Sequence, residues 1–236
     1  MTTKATTWIT SALTLSAITL LQGCATTPRP VKNIEEKEVL VVIKPVNNTN
    51  FYGRNGAFDA IKAKQAYFNL MTHFNYPIYD SFKTDTLKIS DFGLSDFSHV
   101  GMASITWINK NYPTGGYQGR EIFLLPGQMM AEYKTIQTEN SLPKQSSWLV
   151  RHGSIYSFSV ESTLGFFPDG IQIPESQRQV TKANNCKVIN QGGYDTLKNE
   201  GGWHFIMGGS EGAIVTEFST FFNPEGLRFS NPKVKL

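Results

Sequence analysis

The sequence predicts an all-β fold carrying one N-terminal helix, and three observations point there. Short apolar and β-branched runs recur at residues 86–89, 104–108, 121–125, 148–151, 154–160, 179–180, 187–190, 203–207 and 213–222. Turn-forming clusters separate them, among them Pro126-Gly127, Pro168-Asp169-Gly170, Gln191-Gly192-Gly193 and Asn223-Pro224-Glu225-Gly226. One stretch alone carries a helical period. Short strands spaced in this way close into a sandwich or barrel.

In chain order, residues 39–43 are a compact apolar run, a first strand ended by Pro45, and Asn47-Asn48-Thr49-Asn50 is a loop. Ala60, Ala63, Tyr67, Leu70, Met71 and Phe74 share one face of a helix over residues 57–74, which stops before Pro77. That stripe reads as core packing. No later segment repeats the spacing, so residues 39–236 read as one domain.

Composition narrows the function classes. Of 236 residues, 40% are hydrophobic, and 16 Phe, 9 Tyr and 4 Trp supply a sizeable core. The net charge of +3 gives no field for nucleic acid, and two cysteines cannot staple a small scaffold.

The first residues read as an address. Lys4 adds positive charge, and residues 8–21 are apolar apart from Thr and Ser. As a helix that run spans about 21 Å, short of the roughly 30 Å hydrocarbon core, so residues 1–23 read as a signal peptide. Leu21-Gln22-Gly23-Cys24 resembles the lipobox of bacterial lipoproteins. The resemblance implies a diacylglycerol on the Cys24 thiol, with cleavage leaving Cys24 at the new N-terminus. An ordinary secretory signal with a cysteine nearby is the competing reading. Ala25 in place of Asp implies the outer membrane, with the protein facing the periplasm. Residues 24–38 are polar and read as a tether. Cys186, in a polar context, is then expected as a free thiol in a loop.

The segment Leu124-Leu125-Pro126-Gly127-Gln128, followed by Glu132-Tyr133-Lys134-Thr135, resembles the metal-binding strand of the cupin superfamily, of the D-lyxose isomerase type. Lys144-Gln145-Ser146-Ser147-Trp148 through Arg151-His152-Gly153 resembles that family's second motif. His204-Phe205-Ile206-Met207-Gly208-Gly209-Ser210-Glu211-Gly212-Ala213, running into Val215-Thr216-Glu217-Phe218-Ser219, resembles the third. Asp91-Phe92-Gly93, Asp96-Phe97 and the tail around Leu227-Arg228-Phe229 add to the likeness. The resemblance implies a cupin-type β-barrel, or jelly roll. By analogy of fold it also allows a homodimer.

The family's four metal positions, carried over, fall on Tyr133, Thr135, Ser146 and His204. Only His204 is a ligand type, so no cofactor and no divalent metal are expected. Glu132 should face away from Tyr133, and His152 is about 20 Å along its strand from Ser146. His73 and His99 read as structural or surface residues. Tyr133, Thr135, Lys144, Ser146, Trp148, His204 and Glu217 make a polar and aromatic pocket that suits a sugar. The other reading is a barrel filled by its own side chains, with Lys144 and Glu217 paired between strands. The function expected is therefore a lipid-anchored protein that binds a small polar ligand, a sugar, without a metal. The alternatives are an aldose–ketose isomerase with a rebuilt site and a non-catalytic structural envelope lipoprotein.

Overall fold

A computed structural model describes residues 47–113, 115–161 and 167–236. The signal peptide 1–23, Cys24, the tether 24–38 and the strand expected at 39–43 lie outside the described residues. Among these residues, nine strands join in one antiparallel sheet that curls into a half-barrel of the cupin type. They are β1 Lys88–Ser90, β2 Met102–Lys110, β3 Tyr117–Leu124, β4 Tyr133–Thr135, β5 Ser146–Ser159, β6 Asn185–Asn190, β7 Tyr194–Thr196, β8 His204–Thr220 and β9 Leu227–Phe229. The helix α1 spans Ala60–His73, and a single turn, α2, spans Glu175–Arg178.

The spine of the sheet is β8. Its C-terminal half lies between β3, from Tyr117 opposite Thr220 to Leu124 opposite Ala213, and β5. Its N-terminal half lies between β5 and β4, where Tyr133 faces His204. The outer edge of β5 carries β6 and β7, and β4 carries β9.

Four of the predicted runs are two long strands. Residues 148–151 and nearly all of 154–160 belong to β5, while most of 203–207 and of 213–222 belong to β8. The glycines that read as breaks are bends within paired strands. Gly153 and Gly212 both have positive φ, and a Cβ at Gly153 would lie 2.2 Å from the Gly212 carbonyl oxygen. Only glycine permits that approach. Pairing resumes on either side, with Val150 opposite Val215 and Tyr156 opposite Met207.

Two expectations are corrected. Residues 179–180 are not a strand: they follow α2, whose turn begins at Pro174, and two residues are too few to hold a ladder. Cys186 is not in a loop. It faces inward on β6 opposite Phe158, and burial pushes its thiol pKa up to about 12. Its polar neighbours occupy the alternate, outer positions of the strand.

The helix starts at Ala60 because the Asp59 carboxylate accepts the Lys62 amide N–H at 3.0 Å, the bond expected of an N-cap. Phe58, expected inside the helix, instead bridges to Tyr52. Ala63, Tyr67, Leu70 and Met71 pack on Ala103, Ile105, Phe123, Leu125 and Ile214, which cover the outer face of the sheet. Each large side chain buried in this way stabilises the fold by about 1.5–3 kcal/mol. The inner face holds a second core that includes Ile122, Leu124, Val150, Phe158, Phe205 and Met207. It is this inner core that surrounds the site.

Candidate functional site

Strand alternation places the site. Tyr133 and Thr135 point inward from β4, while Lys134 between them points outward, its ammonium 4.9 Å from the Trp203 ring centre. Tyr133 lies opposite His204, and their ring centres are 4.3 Å apart. Trp148 comes in from β5 opposite Glu217, with its ring 5.6 Å from His204. Ser146, two residues earlier on β5, is buried on the same face. Lys144 precedes that strand, and its Nζ donates to Glu217 Oε1 at 3.0 Å. The Thr135 hydroxyl accepts the Lys144 backbone N–H at 2.7 Å, which fixes where the lysine departs. All seven expected residues are therefore buried in and around one inward-facing cluster.

The sequence reading missed Arg120. It sits on β3 directly opposite Glu217, and its Nε donates to Glu217 Oε2. The signal was present only as parity, because Arg120 shares the inward positions of Ile122 and Leu124. Its partner depends on strand register.

Electrostatics follow from burial. Burial raises the Glu217 pKa, but Arg120 and Lys144 outweigh it and hold the carboxyl at about 2. Burial lowers the Lys144 ammonium to about 8, with Glu217 opposing and Arg120 reinforcing the shift. Burial also holds the His204 pKa near 4, so its ring is neutral at pH 7. His204 Nδ1 donates to the Gly202 carbonyl at 2.7 Å, leaving Nε2 with a bare lone pair. Burial is the main cause that raises the Tyr133 phenol above its usual range.

Five buried side-chain polar atoms lack a hydrogen-bond partner among the described residues, and four of them meet here. They are Tyr133 Oη, Ser146 Oγ, Trp148 Nε1 and His204 Nε2. Buried polar groups are almost always paired, so such a concentration calls for a partner that these side chains do not supply, an ordered water or a ligand. A cavity of about 150 Å³ opens at one of them, Tyr133, with Arg120 and Lys144 also on its polar side and Phe92, Phe222 and Phe229 among its apolar walls; Ser146, Trp148 and His204 lie behind this lining.

These residues do not fit a divalent metal. One imidazole, a phenol with a raised pKa and two hydroxyls make a poor ligand set, and one of those hydroxyls is already bonded to Lys144. The Trp148 N–H is a donor, which a cation cannot satisfy. Among the described residues no group of three His, Cys, Asp or Glu is arranged to hold a metal ion. The other candidates lie elsewhere. Glu132 faces away and accepts the backbone N–H groups of Lys182 and Ala183. His152 faces outward onto Phe74, because a bulge between Val150 and His152 reverses the strand parity. His73 lies 3.7 Å from Glu211, and His99 pairs with Asp96.

The sequence matches no family model. It is 28% identical over 151 residues to a D-lyxose/D-mannose isomerase of Thermosediminibacter oceani, spanning 64% of this chain and 80% of that protein. A D-lyxose ketol-isomerase of Cohnella laeviribosi is also 28% identical over 151 residues, covering 64% and 79%. Among solved structures, L-ribose isomerase of Acinetobacter sp. DL28 in complex with L-ribose gives a TM-score of 0.59 at 14% identity, over 78% of this chain and 95% of that one. Cellulomonas parahominis L-ribose isomerase with L-psicose gives 0.57 at 14% identity, over 78% and 95%. The chain is thus similar in sequence to D-lyxose isomerases over 64% of its length, and it shares the cupin-type fold of the L-ribose isomerases.

Proposed function

We propose that this protein is a sugar isomerase whose site has been rebuilt without a metal, and that it takes a small aldose or ketose into its half-barrel. The carrying observation is the set of four unpartnered buried atoms. His204 Nε2 only accepts, Trp148 Nε1 only donates, and the Tyr133 and Ser146 hydroxyls do both. A polyol offers donors and acceptors on neighbouring carbons and satisfies such a set. The homology to D-lyxose isomerases supports the same ligand class.

While a hydroxyl proton passes from O2 to O1, aldose–ketose isomerisation moves the C2 proton to C1 through an enediol. Lys144, with a pKa of about 8, carries an appreciable amine fraction at neutral pH and is the group suited to lift and return that proton. Glu217 holds the Lys144 side chain in place, and Thr135 holds its backbone. Trp148 and His204 orient the substrate hydroxyls.

One observation favours a second reading, a non-catalytic sugar-binding protein. Three of the four positions that the resemblance assigns to a metal lack a ligand type, and a lost Lewis acid removes several kcal/mol of charge stabilisation. In either reading Leu21-Gln22-Gly23-Cys24 supports a lipid anchor on Cys24 and a place in the cell envelope, at the periplasmic face of the outer membrane.

The test incubates chelator-treated protein with D-lyxose in D₂O and follows ketose formation and deuterium at C1 of the ketose by NMR. The proposal expects conversion that survives chelation and falls at least 100-fold in Lys144→Met. Thermal stabilisation by D-lyxose without conversion selects the second reading. Neither conversion nor stabilisation contradicts both.

A further inference from the structure

Arg120 is more cationic than its own fold requires. Glu217, its partner, already has the Lys144 ammonium at 3.0 Å, so two cations face one carboxylate in a buried cluster. A guanidinium carries five N–H donors. The Arg120 Nε donates to Glu217, and the guanidinium also lies close enough to the Tyr133 phenol to oppose the effect of burial on it. The rest of the group borders the cavity, with 15% of the side chain exposed, beside the unpartnered Tyr133 hydroxyl.

The same corner holds two positions where the resemblance places a metal, Tyr133 and His204. Two cations, Arg120 and Lys144, already flank the buried Glu217 carboxylate there, and a divalent ion would meet the repulsion of both. A planar guanidinium fork, by contrast, can hold two neighbouring oxygens at once, as a metal ion does when it chelates them.

We propose that Arg120 is the ligand anchor of this site, its guanidinium standing where a divalent cation would act, holding two adjacent sugar oxygens and keeping metal out. This rests on the sugar reading of the site. The guanidinium orients and polarises those oxygens, and it accepts no electron pair from them.

Two measurements test it. The first is thermal-shift titration of D-lyxose against the native chain, Arg120→Gln and Arg120→Lys. Affinity should fall at least tenfold in Arg120→Gln and recover in part in Arg120→Lys. The second is calorimetric titration of Mn²⁺ into a triple variant, Tyr133→His, Thr135→His and Ser146→Glu, with Arg120 either kept or changed to Gln. Removing Arg120 should tighten Mn²⁺ binding at least tenfold. Unchanged sugar affinity in Arg120→Gln overturns the proposal, as does equal or absent Mn²⁺ binding in both multiple variants. If those variants fail to fold by circular dichroism, the two single substitutions decide. A native chain that binds no D-lyxose sinks the sugar reading, while a tenfold gain in Mn²⁺ affinity would still place Arg120 in the cation's position.

Discussion

Gln128 and Tyr133 lie five residues apart in the chain, both buried and both polar, yet they do opposite things. Both polar atoms of Gln128 are partnered. Its Oε1 accepts from Tyr67 Oη at 2.7 Å and Leu125 N at 3.0 Å, and its Nε2 donates to the Phe97 carbonyl at 2.6 Å. It ties helix α1 to the sheet. Tyr133, with Ser146, Trp148 and His204, keeps a polar atom unpaired. Full satisfaction marks a structural polar group, and concentrated dissatisfaction calls for a partner from outside the fold.

Substitutions can break or sharpen that comparison. The largest effect should come from Glu217→Ala, which strands two buried cations. Denaturant unfolding should show a loss of about 3–5 kcal/mol, as for other broken buried pairs.

Acid should act next. The His204 pKa is held near 4 when folded against an ordinary 6.5, so the unfolded chain takes up the proton first. The His204 contribution to stability is therefore intact above pH 6.5 and is lost as pH falls toward 4, roughly 3 kcal/mol in all. Glu217, held near 2 against 4.5, adds a second loss of the same sign as pH falls from 4.5 toward 2. His204→Phe should flatten the first limb and leave the second.

Gln128→Ala orphans the Tyr67 hydroxyl, the Leu125 N–H and the Phe97 carbonyl, and should cost about 2–3 kcal/mol in the same unfolding assay. Tyr133→Phe removes a hydroxyl that has no partner and should change stability by less than about 1 kcal/mol while weakening sugar binding. A large loss in Tyr133→Phe would erase the distinction between the two residues. The smallest effect belongs to Lys134→Ala, about 0.5 kcal/mol for an outward cation over the Trp203 ring.

The same contrast explains what the sequence made legible. The helical face of Ala63, Tyr67 and Leu70, and the short strands, followed from periodicity alone. The spacing of Tyr133 and Thr135 correctly put both inside the half-barrel, with Lys134 outside. Properties that depend on register were hidden. Arg120 meets Glu217 only because β3 and β8 pair as they do. His152 turns outward only because β5 bulges before it. The runs 148–151 and 154–160, like 203–207 and 213–222, read as separate strands, since nothing local distinguishes a break from a bend at Gly153 or Gly212 across which pairing continues. Cys186 looked like a loop residue because its polar neighbours hid the alternation of β6.

The central claim is that the unpaired atoms of this site are completed by a sugar. The most direct test is the ¹⁵N signal of His204 Nε2 in chelator-treated protein titrated with D-lyxose. A bare acceptor that gains a hydroxyl donor should shift saturably, with the same midpoint as the thermal stabilisation. A His204 Nε2 signal unchanged at saturating sugar would contradict the account.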